Sequence, residues 1–165
     1  MNMSELQFVI GDPHICTGCM ICVNVCSMKF YKVISPERSR VRAERIEPGL
    51  DFPVFCRNCE DAPCIEACPN EALMRTSKGV VIVNNRKCDG TGACVEACPY
   101  FAIRIHPDTG KAFKCIQCEA CVERCPVDAI WLTTERELKE KDSDNRILNL
   151  HEEHSEVLYN KEVES

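Results

Sequence analysis

The cysteines constrain this chain of 165 residues more than any other feature, because its fifteen thiols recur in runs of nearly one spacing. Three runs are complete, and they read Cys16, Cys19, Cys22, Cys26; Cys56, Cys59, Cys64, Cys68; and Cys115, Cys118, Cys121, Cys125. The remaining run, third in chain order, reads Cys88, Thr91, Cys94, Cys98, with a hydroxyl in place of one thiol. This spacing is typical of iron–sulfur cluster ligands.

Other uses of cysteine fit the pattern less well. Structural zinc sites usually take their ligands from two separate Cys-x2-Cys knuckles, whereas each complete run here crowds its first three thiols together. A disulfide framework conflicts with the odd number of cysteines and with the lack of a secretory signal in residues 1–12. Unliganded buried thiols do not explain a spacing that recurs four times. The runs therefore favour iron–sulfur ligation.

Proline follows the last cysteine of three runs, as Pro69, Pro99 and Pro126. Proline fixes its own φ and biases the residue before it away from helix, which suits a chain turning off toward a neighbouring site. The first run departs from this pattern because Ser27 follows Cys26.

Short hairpins and short helices are predicted between the runs, which indicates an α+β fold. Residues 72–75 with 80–83, and 102–105 with 111–114, read as strand pairs around turn residues. Further strands are expected at 31–34, 40–46 and 129–133, with helical turns at 95–97 and 122–124. From residue 134 the composition becomes strongly charged. Apolar positions that would stripe one or two helices of this tail, broken near 142–145, are Leu138, Ile147, Leu148, Leu150, Val157 and Leu158.

The net charge of −6 is concentrated in the tail, where residues 135–165 hold ten acids and five bases. No basic stripe of the kind that binds nucleic acid is present. A local basic cluster is either a solvated hairpin face or a docking patch for an acidic partner. Its members are Lys29, Lys32, Arg38, Arg40, Arg42 and Arg45. Since no apolar stretch is long enough to span a bilayer, we expect a cytoplasmic protein without direct membrane insertion.

The runs CTGCMICVNVC, CRNCEDAPCIEACP, CDGTGACVEACP and CIQCEACVERCP resemble the four motifs of the four-cluster ferredoxin-like electron-transfer subunits. This family includes iron–sulfur subunits of molybdenum and tungsten oxidoreductases, nitrate reductase, hydrogenase and carbon monoxide dehydrogenase. The resemblance covers residues 10–133. It implies two pseudo-symmetric bacterial ferredoxin-like folds in a body of residues 1–133. Residues 134–165 would then be a helical tail for docking.

The family also implies nested pairing of the runs, first with fourth and second with third, although the spacing alone equally permits pairing of neighbours. Carried over, the resemblance gives three [4Fe-4S] sites and one defective site. The complete sites take Cys16, Cys19, Cys22 and Cys125; Cys115, Cys118, Cys121 and Cys26; and Cys56, Cys59, Cys64 and Cys98. The defective site keeps Cys88, Cys94 and Cys68.

Thr91 marks the defect, because a threonine hydroxyl hardly ionises near neutral pH and is a poor substitute for a thiolate. A cluster corner without a thiolate has a labile iron, and its loss leaves [3Fe-4S] held by three cysteines. Family members of the nitrate reductase type carry such a centre where this cysteine is replaced. A fourth [4Fe-4S] cluster closed by hydroxide, Thr91 or Asp89, and an empty site, remain alternatives.

The expected function is one-electron relay, with no catalysis by the chain itself. The expected partners are a larger catalytic subunit and an acceptor such as ferredoxin. A tungsten or molybdenum aldehyde-type oxidoreductase of anaerobic metabolism is the preferred catalytic partner, with hydrogenase, formate dehydrogenase and carbon monoxide dehydrogenase still open. The alternatives are a free soluble polyferredoxin and a regulatory module that senses redox state through the iron vacancy opposite Thr91.

Overall fold

The computed structural model describes residues 6–46, 49–142, 146, 147 and 149. Within these residues, eight strands pair into four two-stranded antiparallel sheets, connected by short helices and loops. Strands β1 to β8 are Gln7–Gly11, Arg42–Ile46, Leu50–Val54, Leu73–Arg75, Val81–Val83, Ile103–Ile105, Ala112–Lys114 and Ile130–Thr134. Helices α1 to α4 are Ile21–Tyr31, Pro63–Glu66, Ala93–Glu96 and Glu135–Lys141, and Pro36–Arg38 forms a 3-10 turn. This small mixed α/β architecture is consistent with a ferredoxin-like fold.

The two hairpins expected after the second and third runs are confirmed within one residue. β4 pairs with β5 so that Leu73 lies opposite Val83, and β6 pairs with β7 so that Ile103 lies opposite Lys114. Each hairpin buries apolar side chains, Leu73 and Val81 in the first and Ile103, Ala112 and Phe113 in the second, which explains why such short strands persist.

The prediction of a strand at residues 31–34 is wrong. Helix α1 continues through Tyr31 and ends at Lys32, whose φ of 59° is left-handed. The helix continues because no proline follows Cys26, and because the buried Ser27 hydroxyl donates a hydrogen bond to the Asn24 carbonyl oxygen and accepts one from the Ser35 N–H. Strand β2 pairs instead with β3, a strand that the sequence pattern did not predict.

Strand β8 matches the strand expected at residues 129–133, and its partner β1 was not predicted. Helix α4 then begins at Thr134 with a capping box: the Thr134 hydroxyl accepts the Glu137 N–H, and the Glu137 carboxylate accepts the Thr134 N–H. Leu138 is fully buried against Phe8 and Ile10, and Ile147 packs in the same cluster. Leu148, Leu150, Val157 and Leu158 of the expected stripe lie outside the described residues.

The helical turns expected at 95–97 and 122–124 appear as the overlap of 95–97 with α3 and as a hydrogen-bonded turn at 121–124, in which the Glu123 N–H donates to the Glu119 carbonyl oxygen. The main core consists of apolar side chains packed around buried thiols, and its most buried members include Val9, Val23, Val41 and Phe52. The cysteines therefore occupy the interior that a protein of this size normally fills with larger apolar groups. No helix among the described residues combines the length and the apolar character needed to cross a bilayer.

Candidate metal centres

All four runs share one backbone conformation, including the run that contains Thr91. The residue before the second position has positive φ in each run: 64° at Gly18, 52° at Asn58, 81° at Gly90 and 58° at Gln117. The residue two before the third position also has positive φ in each run: 61° at Met20, 41° at Ala62, 84° at Gly92 and 58° at Glu119. Non-glycine residues rarely adopt such angles, so their recurrence indicates that each loop is shaped to present its side chains to one site.

Three runs also share the way in which they leave the site. The residue three after the last cysteine has positive φ, with 48° at Glu71, 47° at Phe101 and 51° at Asp128. These are the runs with proline after the last cysteine. In the first run the chain continues as α1 instead. The cysteine–proline pair therefore coincides with a sharp turn toward the following strand.

The structure brings twelve of the cysteines together around three cavities. Thiol set 1 is Cys16, Cys19, Cys22 and Cys125. Thiol set 2 is Cys26, Cys115, Cys118 and Cys121. Thiol set 3 is Cys56, Cys59, Cys64 and Cys98. Each set combines three thiols of one run with the last thiol of another run.

The walls between these thiols are largely apolar. Ile21 and Ile130 line the cavity of thiol set 1, and Val81 and Ile103 line that of thiol set 3. Across the described part of the chain, no three His, Cys, Asp or Glu side chains converge closely enough to hold a single metal ion. The thiols are instead distributed around the cavity walls in groups of four, a donor set that fits a [4Fe-4S] cluster.

The remaining thiols, Cys68, Cys88 and Cys94, form thiol set 4. Burial, followed by the negative charges of Cys68 and Cys88, raises the pKa of Cys94 to about 11. Thr91 is exposed, and its N–H donates a hydrogen bond of 3.3 Å to Asp89 Oδ1. The Asn70 side chain and this N–H both lower the pKa of Asp89 by hydrogen bonding to its carboxylate. The Asp89 carboxylate is therefore engaged both by its own loop and by Asn70, which follows the second run.

The four thiol sets follow one another in a row, because thiols of neighbouring sets are close enough to act on one another electrostatically. After burial and the effect of Cys115, the charge of Cys22 raises the pKa of Cys121, which links sets 1 and 2. Cys56 acts on Cys115, which links sets 2 and 3. Cys98 acts on Cys94, which links sets 3 and 4. The order is thus 1, 2, 3, 4.

Backbone N–H groups point at sulfur in each set. Such hydrogen bonds stabilise negative charge on a metal-bound thiolate and help to set cluster potentials. The donor–sulfur pairs are Ala129 to Cys125 at 3.3 Å, Arg40 to Cys26 at 3.3 Å, Asn58 to Cys56 at 3.3 Å, Ala72 to Cys68 at 3.2 Å and Ala112 to Cys88 at 3.3 Å. Sequence patterns do not reveal these donors because every non-proline residue carries an N–H.

Burial disfavours ionisation of the free thiols. Burial is the largest cause and the neighbouring thiols add to it, so that the pKa of both Cys22 and Cys64 rises to about 12. Without a cation these groups would remain protonated at neutral pH. Iron supplies the positive charge that stabilises several thiolates in one buried space, so the donor set and its surroundings suit a metal cluster.

The arginines of the basic cluster make contacts within the chain. Arg38 forms an ion pair with Asp108 at 2.6 Å, and Arg45 forms one with Asp51 at 3.0 Å. The Arg40 guanidinium lies over the Phe30 ring, 4.2 Å from its centroid. These contacts favour a structural role over a dedicated docking patch.

The hairpins and thiol sets define an iron–sulfur protein of the ferredoxin class. The chain belongs to the 4Fe-4S dicluster domain family, whose profile matches residues 49–138, and a 4Fe-4S binding domain profile matches residues 13–29.

Curated relatives include the "Aliphatic sulfonate oxidoreductase, polyferredoxin-like subunit" of Pyrococcus furiosus, which is 39% identical over 118 residues, 71% of this chain and 68% of the relative. A tetrathionate reductase subunit of Archaeoglobus fulgidus is 35% identical, covering 72% of this chain and 58% of the relative. The "Thiosulfate reductase electron transfer subunit PhsB" of Salmonella typhi is 34% identical, covering 72% and 66%. The matches thus span between 58% and 68% of the length of these relatives. They confirm the resemblance to iron–sulfur electron-transfer subunits of oxidoreductases.

Among solved structures, the BamBC complex of benzoyl coenzyme A reductase with benzoyl-CoA aligns with a TM-score of 0.43 and 24% identity, covering 85% of this chain and 89% of that one. Similarity at this level carries no argument about function.

Proposed function

We propose that the chain relays single electrons between a catalytic oxidoreductase subunit and an acceptor, through three [4Fe-4S] clusters and one [3Fe-4S] cluster. The observation that carries the proposal is the row of four thiol sets, in which each set is electrostatically coupled to the next. A relay needs its redox centres in such a sequence, whereas a storage or structural role does not.

Thiol sets 1, 2 and 3 would each hold one [4Fe-4S] cluster, with the nested pairing of runs that the family resemblance implies. This assignment is supported because each cavity is lined by three cysteines of one run and the last cysteine of its nested partner. Neighbour pairing would instead place Cys26 with the thiols of the second run. The division into a cluster-binding body of residues 1–133 and a docking tail of residues 134–165 belongs to the same proposal.

The clusters supply one-electron redox chemistry when bound. The chain's own part is to bind the iron through thiolates, to exclude water with apolar walls, and to direct N–H groups at the sulfurs. The Arg40 and Ala129 N–H groups, at 3.3 Å from Cys26 and Cys125, stabilise the additional negative charge of a reduced site.

Thiol set 4 would hold the [3Fe-4S] cluster. Thr91 lies in the same left-handed loop as the second cysteine of the other runs, so the chain presents a hydroxyl where they present a thiolate. The engaged carboxylate of Asp89 argues against its service as a fourth ligand. A [4Fe-4S] cluster closed by hydroxide or by Thr91 is the remaining alternative.

The proposed catalytic partner is a tungsten or molybdenum aldehyde-type oxidoreductase. The names of the relatives favour a second candidate, an oxidoreductase that acts on sulfur compounds. Anaerobic co-purification followed by metal analysis and assays with aldehydes, tetrathionate, thiosulfate and sulfonates would distinguish the two candidates. A cytoplasmic location remains a prediction, to be tested by fractionation of the native cells.

The relay is tested by anaerobic purification of the chain with its partner. We expect about fifteen iron atoms per chain, matching inorganic sulfide, and the electron paramagnetic resonance signal of an oxidised trinuclear cluster. Zinc in place of iron would overturn the proposal. A chain that elutes alone at native abundance would instead be a free polyferredoxin. A chain that changes partner with redox state but passes no electrons would be a regulatory module.

A further inference from the structure

Lys114 is the last residue of β7, and its side chain is 1% exposed. Its Nζ donates a hydrogen bond of 2.7 Å to the Val81 carbonyl oxygen. No carboxylate pairs with this ammonium anywhere in the described part of the chain. A buried cation with a single neutral acceptor is costly unless negative charge lies nearby. A source of negative charge inside the protein would offset the cost of burying the Lys114 ammonium.

The surroundings of Lys114 identify that source. Val81 lines the cavity of thiol set 3, and Cys115, the residue after Lys114, lines the cavity of thiol set 2. Burial raises the pKa of Cys64 in set 3 and of Cys115 in set 2 to about 12, and in both cases the Lys114 ammonium opposes the rise. The same cation thus acts on thiols of two neighbouring sets.

The outer sets have different surroundings. Asp51 is the charged neighbour of Cys16 in thiol set 1, and it acts in the opposite direction, raising the thiol pKa after the larger effect of burial. The pKa of Cys94 in thiol set 4 responds chiefly to burial and to other thiols. The hydrogen bond to Val81 and the position next to Cys115 place Lys114 beside the two middle sets.

We propose that Lys114 is a positioning residue that raises the reduction potentials of the two middle clusters. This inference rests on the proposed relay function. A fixed positive charge favours the reduced form of a nearby cluster, because reduction adds one negative charge. Since Lys114 lies beside both middle sets, it would raise both potentials together, relative to the potentials of the outer clusters.

The test is potentiometric titration of the iron-loaded protein with its partner, followed by electron paramagnetic resonance. Lys114→Met removes the charge, Lys114→Gln removes the charge but keeps an N–H donor for Val81, and Lys114→Arg keeps the charge. Lys111→Met is the matched control, because Lys111 lies on the same hairpin, is partly exposed, and contacts the Asn85 carbonyl oxygen.

In Lys114→Met and Lys114→Gln we expect the ratio of reduced to oxidised form of the two middle clusters to fall about tenfold at a given applied potential, equivalent to about 59 mV. The reduction potentials of the two outer clusters should not change in these variants. In Lys114→Arg and Lys111→Met, the potentials of all clusters should stay close to those of the unmodified protein. If Lys114→Met fails to load iron, the potentials of the iron-loaded Lys114→Gln variant decide whether the Lys114 charge raises those of the two middle clusters.

Unchanged potentials in a fully loaded uncharged variant would overturn the proposal. Loss of iron in both uncharged variants would also overturn it, because it would assign Lys114 to cluster assembly. The iron and sulfide content of the unmodified protein tests the relay itself, so failure of the tuning role is distinguishable from failure of the proposed function.

Discussion

Gly90 faces the carbonyl oxygen of Gly110 so closely that a Cβ on Gly90 would overlap that oxygen. Gly110 belongs to the turn that joins β6 to β7, and Gly90 precedes Thr91 in the third run. The contact therefore ties the loop of the defective cluster site to a hairpin that also carries Lys114. Gly92, on the other side of Thr91, has open space around the corresponding position.

Gly90→Ala is expected to disrupt thiol set 4 selectively. The added methyl group must displace the Gly110 backbone, and the φ of 81° is already unfavourable for alanine. We expect loss of the trinuclear signal, and of about three iron atoms per chain, with the other clusters retained. Gly92→Ala is the control, because its φ of 84° imposes similar strain without the overlap. Equal loss of iron in both variants would show that backbone strain, rather than the contact with Gly110, governs the site.

Thr91→Cys is expected to convert the trinuclear site into a [4Fe-4S] site. Gly90 and Gly92 flank Thr91 in the left-handed conformation that flanks Cys19 in the first run and Cys118 in the fourth, so the new thiol needs no rearrangement of the backbone. Iron content should rise by about one atom per chain, and the trinuclear signal should disappear. Thr91→Ser keeps a hydroxyl and should change neither quantity. An unmodified protein that already contains about sixteen iron atoms and lacks the trinuclear signal would contradict the [3Fe-4S] assignment.

The sequence predicted the hairpins and the iron–sulfur character well, because both depend on local patterns. The hairpin β4–β5 has turn residues between two short apolar strands. The spacing of the cysteines can be read from the amino-acid sequence itself. Strands β1 and β3 were not predicted, because each gains its stability from a partner or from packing that no local pattern reveals. The sequence pattern places Tyr31 in a strand at residues 31–34, whereas the structure extends α1 through it. The buried hydroxyl of Ser27, which sustains the helix there, becomes evident only in the fold.

The site divides in the same way. The spacing within each run is visible in the sequence, but the grouping of thiols from different runs is not. Cys125 joins the first run because β1 pairs with β8. Cys26 joins the fourth run because α1 crosses toward that run. Lys114 carried no signal in the sequence beyond its place between Phe113 and Cys115. Its importance follows from burial beside two thiol sets, which is a property of the tertiary structure.

Leu138→Ala is expected to weaken the attachment of α4 to the body. Leu138 is 0% exposed and packs on Phe8 and Ile10, so its truncation should cost about 2–5 kcal/mol of stability and lower the midpoint of thermal unfolding. Lys139→Ala, at the next and exposed position of the same helix, should alter stability by less than about 0.5 kcal/mol. Similar unfolding midpoints for the two variants would indicate that α4 is not held to the body in solution.

The iron-free protein is expected to become less stable as the pH rises above about 9. Burial raises the pKa of Cys22 and Cys64 from 9.0 to about 12, so the unfolded chain loses these protons at lower pH than the folded chain. The folded state then binds more protons, and the free energy of unfolding falls between about pH 9 and 12. Circular dichroism in increasing urea measures this fall in iron-free protein kept reduced. The iron-loaded protein is the control, since its thiolates have no proton to lose. Iron-free stability that stays level or rises over this interval would show that the thiols are not buried together without metal.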